Sequence, residues 1–250
     1  MHNAAFWRKH FENVFIPHIG RLVETLNTRL LPAFASIAHE ASKIQEDTYN
    51  ELMAMPVEYD PDFGYMEVDG FELNEAALQA GVDHYLGMSS VRQAILNSYA
   101  PLLYHTWEQQ LLTFHRREVL HPNEQHDNKL LSVRELRRRL DAQGLYISAL
   151  PTWAVLDELQ LVANVAKHAD GTSADKLKGL RPDLFEPDIG NTGRDSPRIR
   201  STPRVYMPFS GDDLYVKATD LHTYGSAAVS FWTELPVALE ADGNVGPSVA

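Results

Sequence analysis

Histidine is the residue that offers the most chemistry in this chain, which has eleven of them and no cysteine. Two histidines have a carboxylate nearby: His105 and Glu108 are one helical turn apart, and Asp83 directly precedes His84. A di-iron bundle needs Glu-x-x-His motifs and further carboxylates on facing helices, and the sequence contains no such pair of motifs. We therefore predict no bound metal and interpret these histidines as polar surface or hydrogen-bonded core residues, with a metal-dependent bundle enzyme as a third alternative to the two functions below.

Residue types and spacing also exclude several other kinds of site. Without cysteine the chain has no disulfide, thiolate zinc site, iron–sulfur cluster or cysteine nucleophile. It has no phosphate-binding glycine loop, dinucleotide fingerprint, HExxH zinc helix or GxSxG elbow. These absences argue against nucleotide-driven motors, common dehydrogenases, metalloproteases and α/β-hydrolases, and we predict no cofactor.

The segment LQLVANVAKHADG (159–171) places Asn164, Lys167 and His168 at the end of a helical pattern. It is similar to the signature region of the HEPN superfamily of small helical-bundle domains. Many of those domains are ribonucleases of toxin–antitoxin, CRISPR-associated and phage-defence systems. The signature has an Arg, often followed by Asn, and a His near a helix end that is separated from the Arg by four to six residues. Asn164 and His168 match its second and last positions, and Ala163 stands in place of the Arg.

This resemblance implies metal-independent cleavage of RNA in a bacterial defence or toxin-type module. His168 would be the general base or acid, while Asn164 and Lys167 would position and neutralise the phosphate. A homodimer in which two motifs face each other is also implied. Ala163 removes the guanidinium expected to stabilise charge in the transition state, and this favours the alternative of a non-catalytic helical interaction or regulatory subunit that binds a partner protein.

Two other groups of basic residues are candidates for phosphate binding. Arg116 and His121 are separated by four residues, although the helix dipole alone favours basic residues at such a helix end. The stretch 186–204 is rich in Pro, Gly and Ser and predicts an exposed loop. Its arginines, Arg198 and Arg200 among them, are candidates for binding phosphate or an acidic partner, with a solvated loop as the alternative.

The elements that must position these residues are helices. Residues 3–56 read as helix, with a start, kink or split expected at Pro17 and Pro32. A loop or small hairpin is expected at 57–72, where prolines and glycines alternate with aromatics.

Helical periodicity continues in the second part of the chain. It predicts a helix from the N-cap Asn74 to Gly87, and a long central helix from Ser89 or Ser90 to about Val119. Three further helices are expected at 132–144, 152–168 and 219–235. We predict an all-α fold, a single bundle of about six to eight helices over residues 1–239, followed by a flexible tail at 240–250.

Composition and charge limit the environment and the partners. The chain has 250 residues, of which 44% are hydrophobic, and its net charge of −12 disfavours tight nonspecific nucleic-acid binding. Transient cleavage of RNA at a local basic patch is compatible with that charge. The N-terminus has no signal-like pattern, and no stretch approaches the roughly 18 apolar residues that cross a bilayer. We expect a cytoplasmic protein that does not bind membranes.

Overall fold

The all-α prediction is confirmed by the computed structural model, which describes residues 3–56, 69–187 and 204–243, with side chains to residue 240, and the backbone of 59–60 and 64–65. Eight α-helices lie in these ranges: α1 Ala4–His10, α2 Ile16–Thr25, α3 Ile37–Met53, α4 Gly70–Phe114, α5 Val133–Asp141, α6 Trp153–His168, α7 Thr172–Leu180 and α8 Ala218–Gly243. Two strands, β1 Tyr59–Asp60 and β2 Gly64–Tyr65, pair antiparallel between α3 and α4. In the described ranges, no helix is long and apolar enough to cross a membrane.

The first helices follow one another almost without interruption, as the periodicity of residues 3–56 predicts. Short π-helical turns at Phe11–Phe15 and Leu26–Leu30 join α1 to α2 and α2 to a 3-10 turn at Leu31–Phe34. Pro17 and Pro32 each lie at the start of a helical segment that directly follows a π-helical turn, so the hydrogen-bond pattern changes where proline has removed an amide donor.

The long helix α4 is continuous over 45 residues, or about 68 Å. The predicted break at Gly87 is therefore wrong, as is the predicted N-cap Asn74. Asp69 caps the helix instead, its Oδ1 accepting a hydrogen bond of 2.8 Å from the backbone nitrogen of Phe71. An interior glycine costs a helix only about 1 kcal/mol. Packing compensates for this cost, because the residues before Gly87 pack against α3 and those after it pack in the core.

Helix α3 and residues 70–95 of α4 pack together as a two-helix unit, the helical arm, beside the main core. Their contact is close because small residues lie between the helices: a Cβ atom at Gly81 would sit 2.8 Å from the carbonyl oxygen of Ala41. Large apolar side chains of α4 are left exposed on the arm: Phe71, Leu78, Val82, Tyr85 and Leu86.

The main core forms around the second half of α4, which packs against α6, α8 and the first two helices. Trp107 lies at its centre, with ring centroids 5.3 Å from Phe231 and 5.9 Å from Trp153. A periodicity of three and four residues predicts one buried side for α6, and this is confirmed, since these residues are all at most 5% exposed: Trp153, Leu156, Leu159 and Val162. The same periodicity places both Leu102 and Leu103 on the buried stripe of α4. Leu103 is fully buried, whereas Leu102 is 44% exposed, so the prediction for Leu102 is wrong.

A buried asparagine fixes the chain that returns to α4 before α8. Asn97 Nδ2 donates to the carbonyl oxygens of Pro208 (2.6 Å) and Leu214 (2.7 Å). Its Oδ1 accepts from the backbone nitrogen of Val216 (3.2 Å) and from Gln93 Nε2 (2.9 Å). Because all four bonds are made inside the protein, this segment is held in one position against α4.

We predict that Leu159→Ala lowers the free energy of unfolding by about 2–5 kcal/mol, because the truncation leaves a cavity at a site with no exposed surface. Leu180→Ala, at a residue that is 55% exposed, is the matched control and should cost less than about 0.5 kcal/mol. Urea denaturation of both variants measures the difference. Equal losses would show that Leu159 is not a core residue.

His115 predicts a pH dependence of stability. It is fully buried, its Nε2 donates to the carbonyl oxygen of Leu130 at 2.9 Å, and burial lowers its pKa below 6.5. The unfolded chain therefore binds a proton more readily, so stability falls as the pH drops below about 6.5. His115→Gln keeps a donor and removes the titration. Melting temperatures between pH 8 and 5 should fall less steeply in this variant, and parallel curves would contradict the assignment.

Candidate active site

The turn after α6 holds a backbone conformation that glycine favours. The helix ends at His168, and Ala169 follows with φ 57° and ψ −129°. Asp170 anchors the turn to the segment after the arginine-rich stretch: its backbone nitrogen donates to the carbonyl oxygen of Val205 (3.1 Å), and its Oδ1 accepts from the Val205 nitrogen (2.9 Å). Strained residues of this kind cluster at functional sites, which makes the end of α6 a candidate site.

The residues of the HEPN-like segment have different environments. His168 is exposed, Asn164 is half-buried, and the side chain of neither makes a hydrogen bond or ion pair with another described residue. Ala163 is fully buried and points about 140° away from His168 around the helix. An arginine at position 163 would carry its charge into the core, so this helix cannot present the arginine of the signature beside His168.

Lys167 belongs to a polar network that links α6 to α4. Its Nζ lies 2.8 Å from His105 Nε2, and His105 Nδ1 lies 2.9 Å from Glu108 Oε2. Since the lysine ammonium can only donate, His105 Nε2 accepts and Nδ1–H donates to Glu108. Tyr104 OH donates to Glu108 Oε1 at 3.1 Å and accepts from Gln160 Nε2 at 2.7 Å. The result is a neutral imidazole with a carboxylate on one side and a cation on the other.

These contacts lie along one groove between the two helices. On α6 the residues facing the groove are spaced by three or four positions, which places them on one face: Trp153, Asp157, Gln160, Asn164 and Lys167. Helix α4 runs antiparallel to α6. Trp153 at the start of α6 contacts Trp107, whereas the segment that Asp170 holds at the other end of α6 is bonded to Asn97, ten residues earlier on α4. We call this surface the α4–α6 groove.

The pKa values of two titratable groups in the groove are raised, which favours their neutral forms. Burial, with Glu108 nearby, raises the pKa of Tyr104 well above its usual range, so its hydroxyl stays protonated. Asp157 is exposed along one edge, but desolvation of its carboxyl raises the pKa. The hydrogen bond from Trp153 and the positive charge of Arg137 partly oppose this increase. Shifted groups that converge on a cleft are typical of functional sites.

Arg116 and His121, the first predicted phosphate-binding pair, are not brought to His168. Arg116 follows His105 by eleven residues, about 16 Å along α4 and the π-helical turn His115–Val119 that continues it, toward the start of α6. It is exposed beside a shallow cavity of about 200 Å³ that Arg117 also lines. His121 turns to its own neighbours, with Nδ1 2.7 Å from Asn123 Oδ1.

Arg198 and Arg200 lie outside the described residues. Arg204 is described: it is exposed and directly precedes Val205, so it lies at the same end of α6 as His168.

Within the described ranges no three His, Asp or Glu side chains converge as metal ligands would. His84 contacts Glu40, with Nε2 3.3 Å from Oε2, and His105 contacts Glu108. The sequence analysis singled out His105 and Glu108 but weighed metal binding only against a polar surface or hydrogen-bonded core role, and did not consider catalysis. A local signal was present, because the spacing of Tyr104, His105 and Glu108 places them within about one turn of a helix.

Comparisons with models of protein families, with curated proteins and with solved structures find no match to this chain. The HEPN resemblance therefore stays a prediction that rests on Asn164, Lys167 and His168. Any function has to be argued from the chemistry of the α4–α6 groove itself.

We predict that Ala169→Gly raises the free energy of unfolding by up to about 2 kcal/mol. Relief of backbone strain is worth about 1–3 kcal/mol, and the added freedom of the unfolded chain returns about 0.5–1 kcal/mol. Ala154→Gly, at an exposed helical position of α6, should have the opposite sign and cost about 1 kcal/mol. Urea denaturation compares the two, and equal destabilisation would show that Ala169 is unstrained.

Proposed function

We propose that this chain is a HEPN-like, metal-independent ribonuclease of a bacterial defence or toxin-type module, active as a homodimer. Its chemistry would be carried by His105, Lys167 and His168 instead of the Arg–His pair of the signature. The observation that carries the proposal is the contact of 2.8 Å between Lys167 Nζ and His105 Nε2, with Glu108 on the other ring nitrogen. A base oriented by a carboxylate and adjacent to a cation is an arrangement that phosphate chemistry uses.

The proposed reaction is an internal attack of the RNA 2′-hydroxyl on the neighbouring phosphorus. When the phosphate binds, Lys167 moves its ammonium from His105 to the non-bridging oxygens, and Asn164 donates to them. His105 Nε2 is then free to take the 2′-hydroxyl proton as the O2′–P bond forms. His168, in its protonated form, gives a proton to O5′ as the P–O5′ bond breaks. The products are a 2′,3′-cyclic phosphate and a 5′-hydroxyl end.

Glu108 has a positioning role in this reaction. Its contact with Nδ1 fixes the tautomer in which Nε2 carries the lone pair, and the imidazolium formed after proton transfer is stabilised by the carboxylate. Tyr104, held in its protonated form, donates to the other oxygen of Glu108 and keeps the carboxylate in place.

The alternative function, a non-catalytic interaction or regulatory subunit, is favoured by two other observations. Ala163 stands where the signature has its arginine, and it is fully buried, so α6 lacks the cation that catalysis would need there. The helical arm also leaves Leu78, Val82 and Leu86 exposed along one helix, and contiguous exposed apolar side chains mark protein-binding surfaces. In this alternative the partner protein binds the arm and the polar groove is a structural feature.

Single substitutions separate the two functions. His105→Ala and His168→Ala should each slow cleavage of a single-stranded RNA by at least about 100-fold, the lower end of the usual contribution of a general acid or base. His222→Ala, at an exposed histidine of α8, is the matched control and should leave the rate unchanged. The rates are measured with excess EDTA, and the melting temperatures of all three variants are compared with that of the wild type.

Two results contradict the ribonuclease proposal. One is a wild-type protein that cleaves no single-stranded RNA of mixed sequence. The other is cleavage that survives both His105→Ala and His168→Ala. Either result leaves the interaction subunit as the remaining function, and Leu86→Asp on the arm would then be expected to abolish its activity in cells without unfolding it.

A further inference from the structure

A cavity of about 290 Å³ lies at the other end of the α4–α6 groove, where α5 joins the two helices. Its floor is aromatic and apolar, formed by Tyr104, Trp107, Trp153 and Leu156, and its rim is polar. Its volume is just below the range of about 300–1,000 Å³ that is typical of ligand sites. The cavity is therefore large enough for a single ring system.

Two buried donors at this cavity have no partner in the part of the chain that the structure describes. They are the indole nitrogen Nε1 of Trp107, a residue that is 2% exposed, and the guanidinium nitrogen Nε of Arg137. A buried donor without a partner costs about 1–3 kcal/mol, and proteins rarely leave one so. Both nitrogens are buried from water-sized groups, so a ligand in the cavity reaches them only when the side chains around it shift.

The rim adds charge that suits an anion next to a ring. The guanidinium of Arg137 lies 5.4 Å from the centroid of the Trp153 ring, and Arg134 is exposed beside it. Arginine pairs with phosphate through two parallel hydrogen bonds. The side chain of Asp157 is the acidic group among the residues that line the cavity, and its pKa is raised toward the neutral form.

We propose that this cavity binds one pyrimidine nucleotide, with the base among Trp107, Trp153 and Tyr104 and the phosphate on Arg134 and Arg137. Aromatic residues that take up an unpaired base are a common feature of single-strand RNA recognition, and these three side chains line the cavity. The inference rests on the proposed ribonuclease function and names the part of the substrate held next to the cleaved bond.

The cavity and the proposed catalytic groups belong to one continuous surface. Gln160 and Tyr104 line the cavity and are hydrogen bonded to each other, and Tyr104 is hydrogen bonded to Glu108, which holds His105. Gln160 and Lys167 are seven residues apart on the same face of α6, or about 10 Å. Neighbouring nucleotides of one extended strand can therefore reach both places.

The orphan indole nitrogen is itself the probe for this proposal. In ¹H–¹⁵N spectra of the full chain titrated with uridine 5′-monophosphate, the Trp107 indole signal should shift in a saturable way as the base comes to lie beside its ring. Trp7 and Trp232 are internal controls, because their indole nitrogens already donate to Glu118 (2.8 Å) and Gln110 (2.9 Å). The Trp107 signal is assigned by its loss in Trp107→Phe.

Two arginine variants test the phosphate contact. Arg134→Ala should weaken binding of uridine 5′-monophosphate about tenfold or more, the effect of losing a charged hydrogen bond. Arg138→Ala, whose side chain pairs with Glu135 outside the cavity, should change it less than about twofold.

Two outcomes overturn the proposal: a Trp107 signal that does not move, and an equal response to inorganic phosphate alone, which would identify a simple anion site. A mononucleotide has no internucleotide bond to cleave, so these outcomes leave the ribonuclease proposal standing. Conversely, saturable binding by a protein that cleaves no RNA would support the nucleotide site and reject only the catalysis.

Discussion

The antiparallel packing of α4 against α6 is the interaction on which the rest of the structure depends. On its buried side it joins Trp107 to Trp153 and Phe231 at the centre of the core. On its solvent side the same alignment places Lys167 against His105 and Gln160 against Tyr104. Because one packing arrangement sets both sides, a change of register between the two helices would disrupt the core and the proposed site together.

The remaining structure fixes the two ends of that helix pair. Asn97 ties the segment 205–216 to α4, and Asp170 ties the same segment to the turn after α6. The turn is held in a conformation that alanine disfavours, and it leaves His168 exposed and without a partner in the described ranges. Backbone strain in this turn lowers stability, and the turn presents an imidazole without a partner. A functional role for His168 accounts for this arrangement, whereas a structural role does not.

Features that depend on neighbouring residues in the sequence could be predicted, whereas features that depend on tertiary contacts could not. The bounds and buried face of α6 follow from local periodicity. The start of α5 is local too, because Ser132 followed three residues later by Glu135 is a helix-start signal, and Ser132 Oγ accepts from the Glu135 nitrogen. The continuity of α4 through Gly87 was missed because it depends on support from α3. The groove was missed for the same reason, since His105 and Lys167 are 62 residues apart and only tertiary packing brings them together.

A double-mutant cycle on His105 and Lys167, measured as the rate of RNA cleavage, tests most directly whether the two side chains form one catalytic site. If they act as a unit, His105→Ala and Lys167→Ala each cause a large loss, and the double variant is no slower than the worse single variant. Losses that multiply would show that the residues act independently. A wild type that cleaves no RNA, or single variants that cleave at the wild-type rate, would contradict the site altogether.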